Sequence, residues 1–151
     1  MNELLEILKS ILADTVALKF KAHGYHWNVE GDDFAQFHDF FSDIYTDYEG
    51  AIDTLAEWFR KLDAPAPSDL LVFYNASTIT ESISSTDPCL MAADLLVGND
   101  STMAKLRSAV TVATSVSQHA LANFFAERMD MHQRWHWMLG AVGKDTENSI
   151  D

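Results

Sequence analysis

The sequence predicts an all-α chain, a four-helix bundle with one long connection that carries a short extra helix. Three observations predict it. Apolar residues recur at steps of three and four over long stretches, no segment alternates as a strand does, and a Pro-, Ser- and Thr-rich segment over 65–86 divides two helical pairs.

The first helix is expected from Asn2 to about Val29, where Leu4, Leu5, Leu8, Ile11, Leu12, Val16, Phe20 and His23 keep helical period. Glu30-Gly31-Asp32-Asp33 makes the turn, with Asp32 or Asp33 as N-cap of the next helix. The second runs from Phe34 to Leu62 on Phe34, Phe37, Phe41, Ile44, Tyr48, Ile52, Leu55 and Phe59. Asp63-Ala64-Pro65-Ala66-Pro67 stops it, because proline cannot continue a helix and disfavours one just before itself. Within the crossover, Leu70-Leu71-Val72-Phe73-Tyr74 predicts the short helix. Pro88 opens the next long helix, to about Val116, with Gly98-Asn99 as a weak spot. The last spans about Gln118 to Val142 on Leu121, Phe124, Phe125, Arg128, Met131, Trp135 and Met138.

At 151 residues the chain is a single domain over 1–151, large enough to bury a core. No apolar run approaches the roughly 18 residues that a membrane span needs, and the acidic N-terminus does not resemble a secretory leader. The single cysteine, Cys89, forms no internal disulfide, so a cytoplasmic location is expected. Net charge is −13, the ten Lys and Arg are scattered, and neither terminus is a basic tail. Nucleic-acid binding is therefore not expected, since it depends on neutralising phosphates, whereas an acidic surface suits a protein that attracts cations.

Four side chains carry the candidate chemistry. His26 and His38 lie about equally far on either side of the turn, so antiparallel helices bring them level, where two imidazoles can share an iron or zinc ion. Asp53 and Glu57 are i,i+4 on one helix face and offer the oxygen ligands that suit iron. The two pairs cannot meet in one chain. Fifteen residues separate His38 from Asp53, roughly 22 Å along a helix rising about 1.5 Å per residue. A site using both is built across a subunit interface, and a two-fold axis near residue 46 gives two equivalent sites per dimer.

The stretch Lys21-Ala-His-Gly-Tyr-His-Trp-Asn-Val-Glu-Gly-Asp-Asp-Phe34, followed by His38, Phe41, Tyr45 and Asp53-Thr-Leu-Ala-Glu57, resembles the Dps family of mini-ferritins. Glu127-Arg-Met-Asp-Met-His132 and Trp137-Met-Leu resemble that family's last helix. The resemblance implies a ferritin-like fold and a homo-oligomeric cage of twelve subunits. It further implies an iron-storing ferroxidase that oxidises Fe(II) with hydrogen peroxide or oxygen at inter-subunit sites and so limits oxidative damage. His26 and His38 would be ligands from one subunit and Asp53 and Glu57 from its partner, with Trp27 an oxidisable aromatic bordering the site. Two positions depart from the pattern. Ser42 stands where a carboxylate usually follows the second histidine by one turn, and Trp58 stands where an arginine usually follows the glutamate. The alternative reading is a cage with weak or lost oxidation that acts as a structural or DNA-protecting shell.

The remaining histidines read as packing or surface groups. His132 and His136 are i,i+4, a spacing that can chelate a metal, but no acid completes a zinc-protease motif. A di-iron centre inside the bundle needs Glu-x-x-His, and none occurs.

Overall fold

In the computed structural model, which describes residues 1–147, five helices follow in chain order: α1 (Asn2–Asn28), α2 (Phe34–Lys61), α3 (Leu70–Ala76), α4 (Pro88–Ser115) and α5 (His119–Glu147). The described residues contain no strand. The four long helices form the bundle and α3 rides on α1 within the crossover. The predicted class and helix order hold, and the last helix runs further than expected, past Val142.

Helix ends follow local chemistry. Asp87 caps α4 by accepting from Leu90 N–H at 3.0 Å, with Pro88 already in helical geometry behind it. Asp33 is the N-cap of α2 as expected, but its side chain makes no capping bond. Ser117 takes a left-handed φ of 61° after α4, which lets Gln118 N–H reach back to Ala113 C=O at 2.8 Å and close the helix end.

Side-chain pairs fix the directions. Ring contact joins His26 to His38 and His23 to Tyr45, so α1 and α2 run antiparallel. Tyr25 with Asp94, and Ser10 with Lys105, make α1 and α4 antiparallel as well. Thus α2 and α4 run parallel, and only a connection as long as the bundle can join them.

The core divides in two. One cluster gathers Leu4, Leu8, Leu12, Leu55, Phe59, Leu106 and Phe125; the other gathers Leu18, Tyr25, Phe41, Ile44, Tyr48, Leu95 and Trp135. Gly98-Asn99 does not weaken α4. A Cβ at Gly98 would stand 2.8 Å from Leu18, so the missing side chain lets α4 approach α1 closely. Asn99 is fully buried and bonded across to α5, so neither residue interrupts the helix.

Two carboxylates, Asp14 wholly buried and Asp94 partly so, fasten the crossover to the bundle. Asp14, wholly buried on α1, accepts from Thr78 N–H at 2.7 Å, from Ser77 Oγ at 3.0 Å and from the Lys105 ammonium. Asp94 on α4 pairs with Lys21 at 2.8 Å and accepts from the Tyr25 hydroxyl, which in turn accepts from Ile83 N–H at 2.9 Å. Breaking a buried pair leaves its partners desolvated and unpaired, at a cost of about 3–5 kcal/mol. Lys105 keeps some access to water, so Asp14→Ala is expected to cost about 3 kcal/mol. Urea unfolding measures the loss, and faster amide exchange at Thr78 should accompany it.

Candidate metal centre

His26 lies near the end of α1 and His38 in the second turn of α2, joined by a five-residue turn whose Gly31 adopts φ 124°. That short link sets both imidazoles at one height, with ring centroids 3.7 Å apart and planes at 16°. Each ring then bonds to the other's backbone. His26 Nδ1 lies 2.6 Å from the His38 carbonyl, and His38 Nδ1 lies 2.7 Å from the His26 carbonyl. A carbonyl only accepts, so both Nδ1 atoms carry the proton and donate. Both Nε2 atoms are therefore left with lone pairs, the form in which a histidine binds a metal. The reciprocal clamp fixes tautomer and ring orientation together.

Aromatic rings surround this pair. Phe34 stacks on His38 at 5.1 Å and Tyr45 meets His26 edge-on at 5.3 Å. His23 stacks on Tyr45 at 4.1 Å, and Trp27 packs against His23 at 4.2 Å. Trp27 is 60% exposed, and its ring contacts neither His26 nor His38 among the described residues. Burial, then the charges of Lys19 and His26, hold the His23 pKa below its ordinary value, and its buried Nδ1 has no hydrogen-bond partner.

Asp53 and Glu57 are exposed further along α2, on the solvent side of the helix. Among the described residues no three His, Cys, Asp or Glu side chains of the chain converge into a metal cluster. The donor set brought together within one chain is thus the histidine pair, two good nitrogen ligands short of a complete shell. Ser42, one turn after His38, offers a hydroxyl where a carboxylate would add a third. Trp58 packs against the lower core, with the Lys61 ammonium 4.5 Å above its ring.

Among the described residues the bundle interior offers no second centre. At mid-height Asp47 receives two bonds from Arg128, at 2.9 and 3.0 Å, and one from Trp135 Nε1 at 2.8 Å. Burial pushes the Asp47 pKa up, but the bonds and charge of Arg128 outweigh it and hold the carboxyl below its usual range. Beside it, Asn99 Oδ1 accepts from Tyr48 at 2.9 Å and from His132 Nδ1 at 2.8 Å, while Asn99 Nδ2 donates to His132 C=O at 2.8 Å. Every group is engaged, and a guanidinium supplies the positive charge. His132 and His136 do not chelate together. His132 is buried against Asn99, whereas His136 is exposed and pairs with Asp100 at 2.9 Å.

Tyr45 and His23 are the neighbours that the sequence did not single out. His23 stands one helical turn before His26, which was a signal available for it, whereas Tyr45 stands seven residues, about two turns, beyond His38 and is not placed there by counting.

The ferritin-like domain family matches residues 5–149 of the chain. The DNA protection during starvation protein of Brevibacillus brevis is 27% identical over 135 residues, covering 89% of this chain and 91% of that protein. Among solved structures, the Dps protein of Bacillus brevis superposes with a TM-score of 0.89 at 26% identity, covering 93% of this chain and 94% of that one. The Dps protein of Vibrio cholerae O1, a member of a broad superfamily of ferritin-like diiron-carboxylate proteins, gives a TM-score of 0.89 at 26% identity, over 93% and 88% of the two chains.

The buried His132 makes a pH prediction. Burial, then the Arg128 charge, lowers its pKa to about 3 in the folded chain, against about 6.5 when unfolded. Below about pH 6.5 the unfolded chain binds the proton and the folded one does not, so stability falls as pH falls, by about 2 kcal/mol at pH 5. Urea unfolding at pH 7 and pH 5 should show this loss in the wild type and a smaller one in His132→Gln.

Proposed function

This chain belongs to the ferritin-like domain family as a Dps-type member, and from that premise we propose a function for it. It is a cytoplasmic ferroxidase and iron store that assembles as a homo-oligomeric cage of twelve subunits. Fe(II) is its substrate and Fe(III) its cargo. Hydrogen peroxide or oxygen takes the electrons at sites shared by two subunits.

The observation that carries this reading is the reciprocal clamp of His26 and His38. It prepares two Nε2 lone pairs for a metal, and no third ligand joins them from the described residues of the same chain. Asp53 and Glu57 of a two-fold partner complete the set with oxygen donors, giving two nitrogens and two carboxylates, a composition that suits iron. The carboxylates neutralise the charge that grows from Fe(II) to Fe(III), and the fixed imidazoles spare the site any reorganisation.

Assembly has support of its own. The helix α3 buries none of its residues, and Leu70 and Tyr74 are 76% and 73% exposed. They line a groove with Val16 and Phe20, and Phe20, Trp27 and Phe34 are exposed on the α1–α2 side that bears the histidines. Exposed apolar side chains in such number favour an interface.

No helix among the described residues is long and apolar enough to cross a membrane. With a net charge of −13, the chain's protection of DNA is chemical. Removing Fe(II) and peroxide together removes the reactants that generate hydroxyl radical.

Two variants test the shared site by complementation. His26→Ala/His38→Ala and Asp53→Ala/Glu57→Ala should each lose peroxide-driven oxidation by at least roughly tenfold, since losing even an outer partner of a ligand costs about 10–100-fold. Unfolded and reassembled together in equal amounts, the variants form mixed dimers in which one site keeps all four ligands. About a quarter of wild-type activity should return. No return would sink the shared site, and full activity in the carboxylate variant would sink the ligand assignment.

A further inference from the structure

The last turns of α2 carry two carboxylates followed by two cations. Asp53 and Glu57 are the candidate oxygen ligands, and Arg60 and Lys61 stand at i+3 and i+4 from Glu57. Both spacings bring side chains together on a helix, and a glutamate four residues before a lysine is the favourable order for an ion pair. Spacing alone would pair Glu57 with one of them. Yet no ion pair joins Asp53 or Glu57 to any cation among the described residues, and both carboxylates are exposed.

Each cation is engaged elsewhere. Asp63 takes a left-handed φ of 60° beyond the helix, and the chain folds back so that Ala64 C=O accepts from Arg60 at 2.9 Å. The Lys61 ammonium stands over the Trp58 ring, 4.5 Å from its centre. Trp58 is half-buried and packed against the lower apolar cluster, which holds the ring in place. A cation over a tryptophan face is attracted at least as strongly as in an exposed i,i+4 pair, so the ring can compete with Glu57 for the ammonium. The competition matters for a metal. An ammonium on Glu57 would take up oxygen lone pairs that Fe(II) needs, and its charge would repel the dication.

We propose that Trp58 is a positioning residue that holds the Lys61 ammonium on its ring face and so keeps Glu57 open to Fe(II). This rests on the ferroxidase reading above, in which Glu57 is a ligand. The bond from Arg60 to Ala64 C=O draws off the other nearby cation in the same way. Asp53 and Glu57 are thereby left as like charges on one helix face, a repulsion that a bound metal relieves. Trp58 touches no reacting atom. It acts through Lys61, by deciding where one positive charge rests.

The test is calorimetric titration of the assembled protein with Fe(II) under anaerobic conditions, a binding measurement that needs no turnover. Trp58→Leu keeps an apolar side chain against the core but removes the ring face. It should weaken Fe(II) binding by about threefold or more at low salt, the scale of one exposed ion pair plus repulsion of the dication. The loss should shrink in about 0.5 M NaCl, where exposed charges are screened. Adding Lys61→Gln to Trp58→Leu should restore the wild-type affinity, which repacking of the core would not do. Lys61→Gln alone, an exposed change that spares the fold, should stay within about twofold of wild type, since its ammonium is already off Glu57. No loss in Trp58→Leu, a loss that survives Lys61→Gln, or a several-fold tightening by Lys61→Gln alone would overturn the proposal and leave the ferroxidase reading standing. Fe(II) binding as tight in Asp53→Ala/Glu57→Ala as in wild type would overturn both.

Discussion

The buried polar layer at mid-height of the bundle decides where the chemistry can lie. Asp47, Tyr48, Asn99, Arg128 and His132 meet there between two apolar clusters. Each is engaged by its neighbours, as buried polar groups must be if they are not to cost several kcal/mol. The layer's carboxylate, Asp47, is taken up by three bonds and the Arg128 guanidinium already supplies a positive charge, so the layer repels a cation. Among the described residues the interior gathers no metal cluster, and the candidate donors lie on an outer face. On the proposed reading, the outer face supplies half of the ligand shell and a second subunit the rest. Fold, assembly and chemistry are linked through that one constraint.

The crossover fits the same logic. It is held to the helices by charges placed on α1 and α4, Asp14 and Asp94, beside the apolar contacts of Phe73, Ile79 and Ile83 with the core. Its own apolar helix is thereby free to point outward. In a shorter connection those leucines would have had to cover the core. Here the core is already filled by the long helices, and the surplus apolar surface becomes available to another chain.

Much of this was legible in the residue order, for physical reasons. Helical period and the Pro65/Pro67 stop determine the elements, because both act locally. The level pairing of His26 and His38 follows from a short turn and a constant rise per residue. The closing of each imidazole on the other's carbonyl was not legible, since it depends on ring orientation. Nor was the value of Gly98-Asn99, which local propensity marks as a flaw in α4. Its compensation lies on other elements, Leu18 on α1 and His132 on α5. The contact of Tyr45 with His26 was not legible either, since Tyr45 stands about two turns beyond His38 and meets His26 through ring orientation. Trp27 stands next to the ligand in sequence yet looks away from it, because adjacent helical residues point about 100° apart.

The hairpin turn between α1 and α2 has a consequence for how such a chain can change over generations. Each histidine is locked by a carbonyl on the other helix, so the five residues of the turn act as a ruler. One residue more or less would rotate His38 by about 100° and separate both locks at once. Glu30 N–H also bonds to Thr86 C=O at 2.9 Å, tying the ruler to the far end of the crossover. Insertions and deletions should therefore accumulate in the exposed part of the crossover, where a lengthened loop costs little, and be purged from 29–33. Drift in length is permitted on one connection of this bundle and forbidden on another.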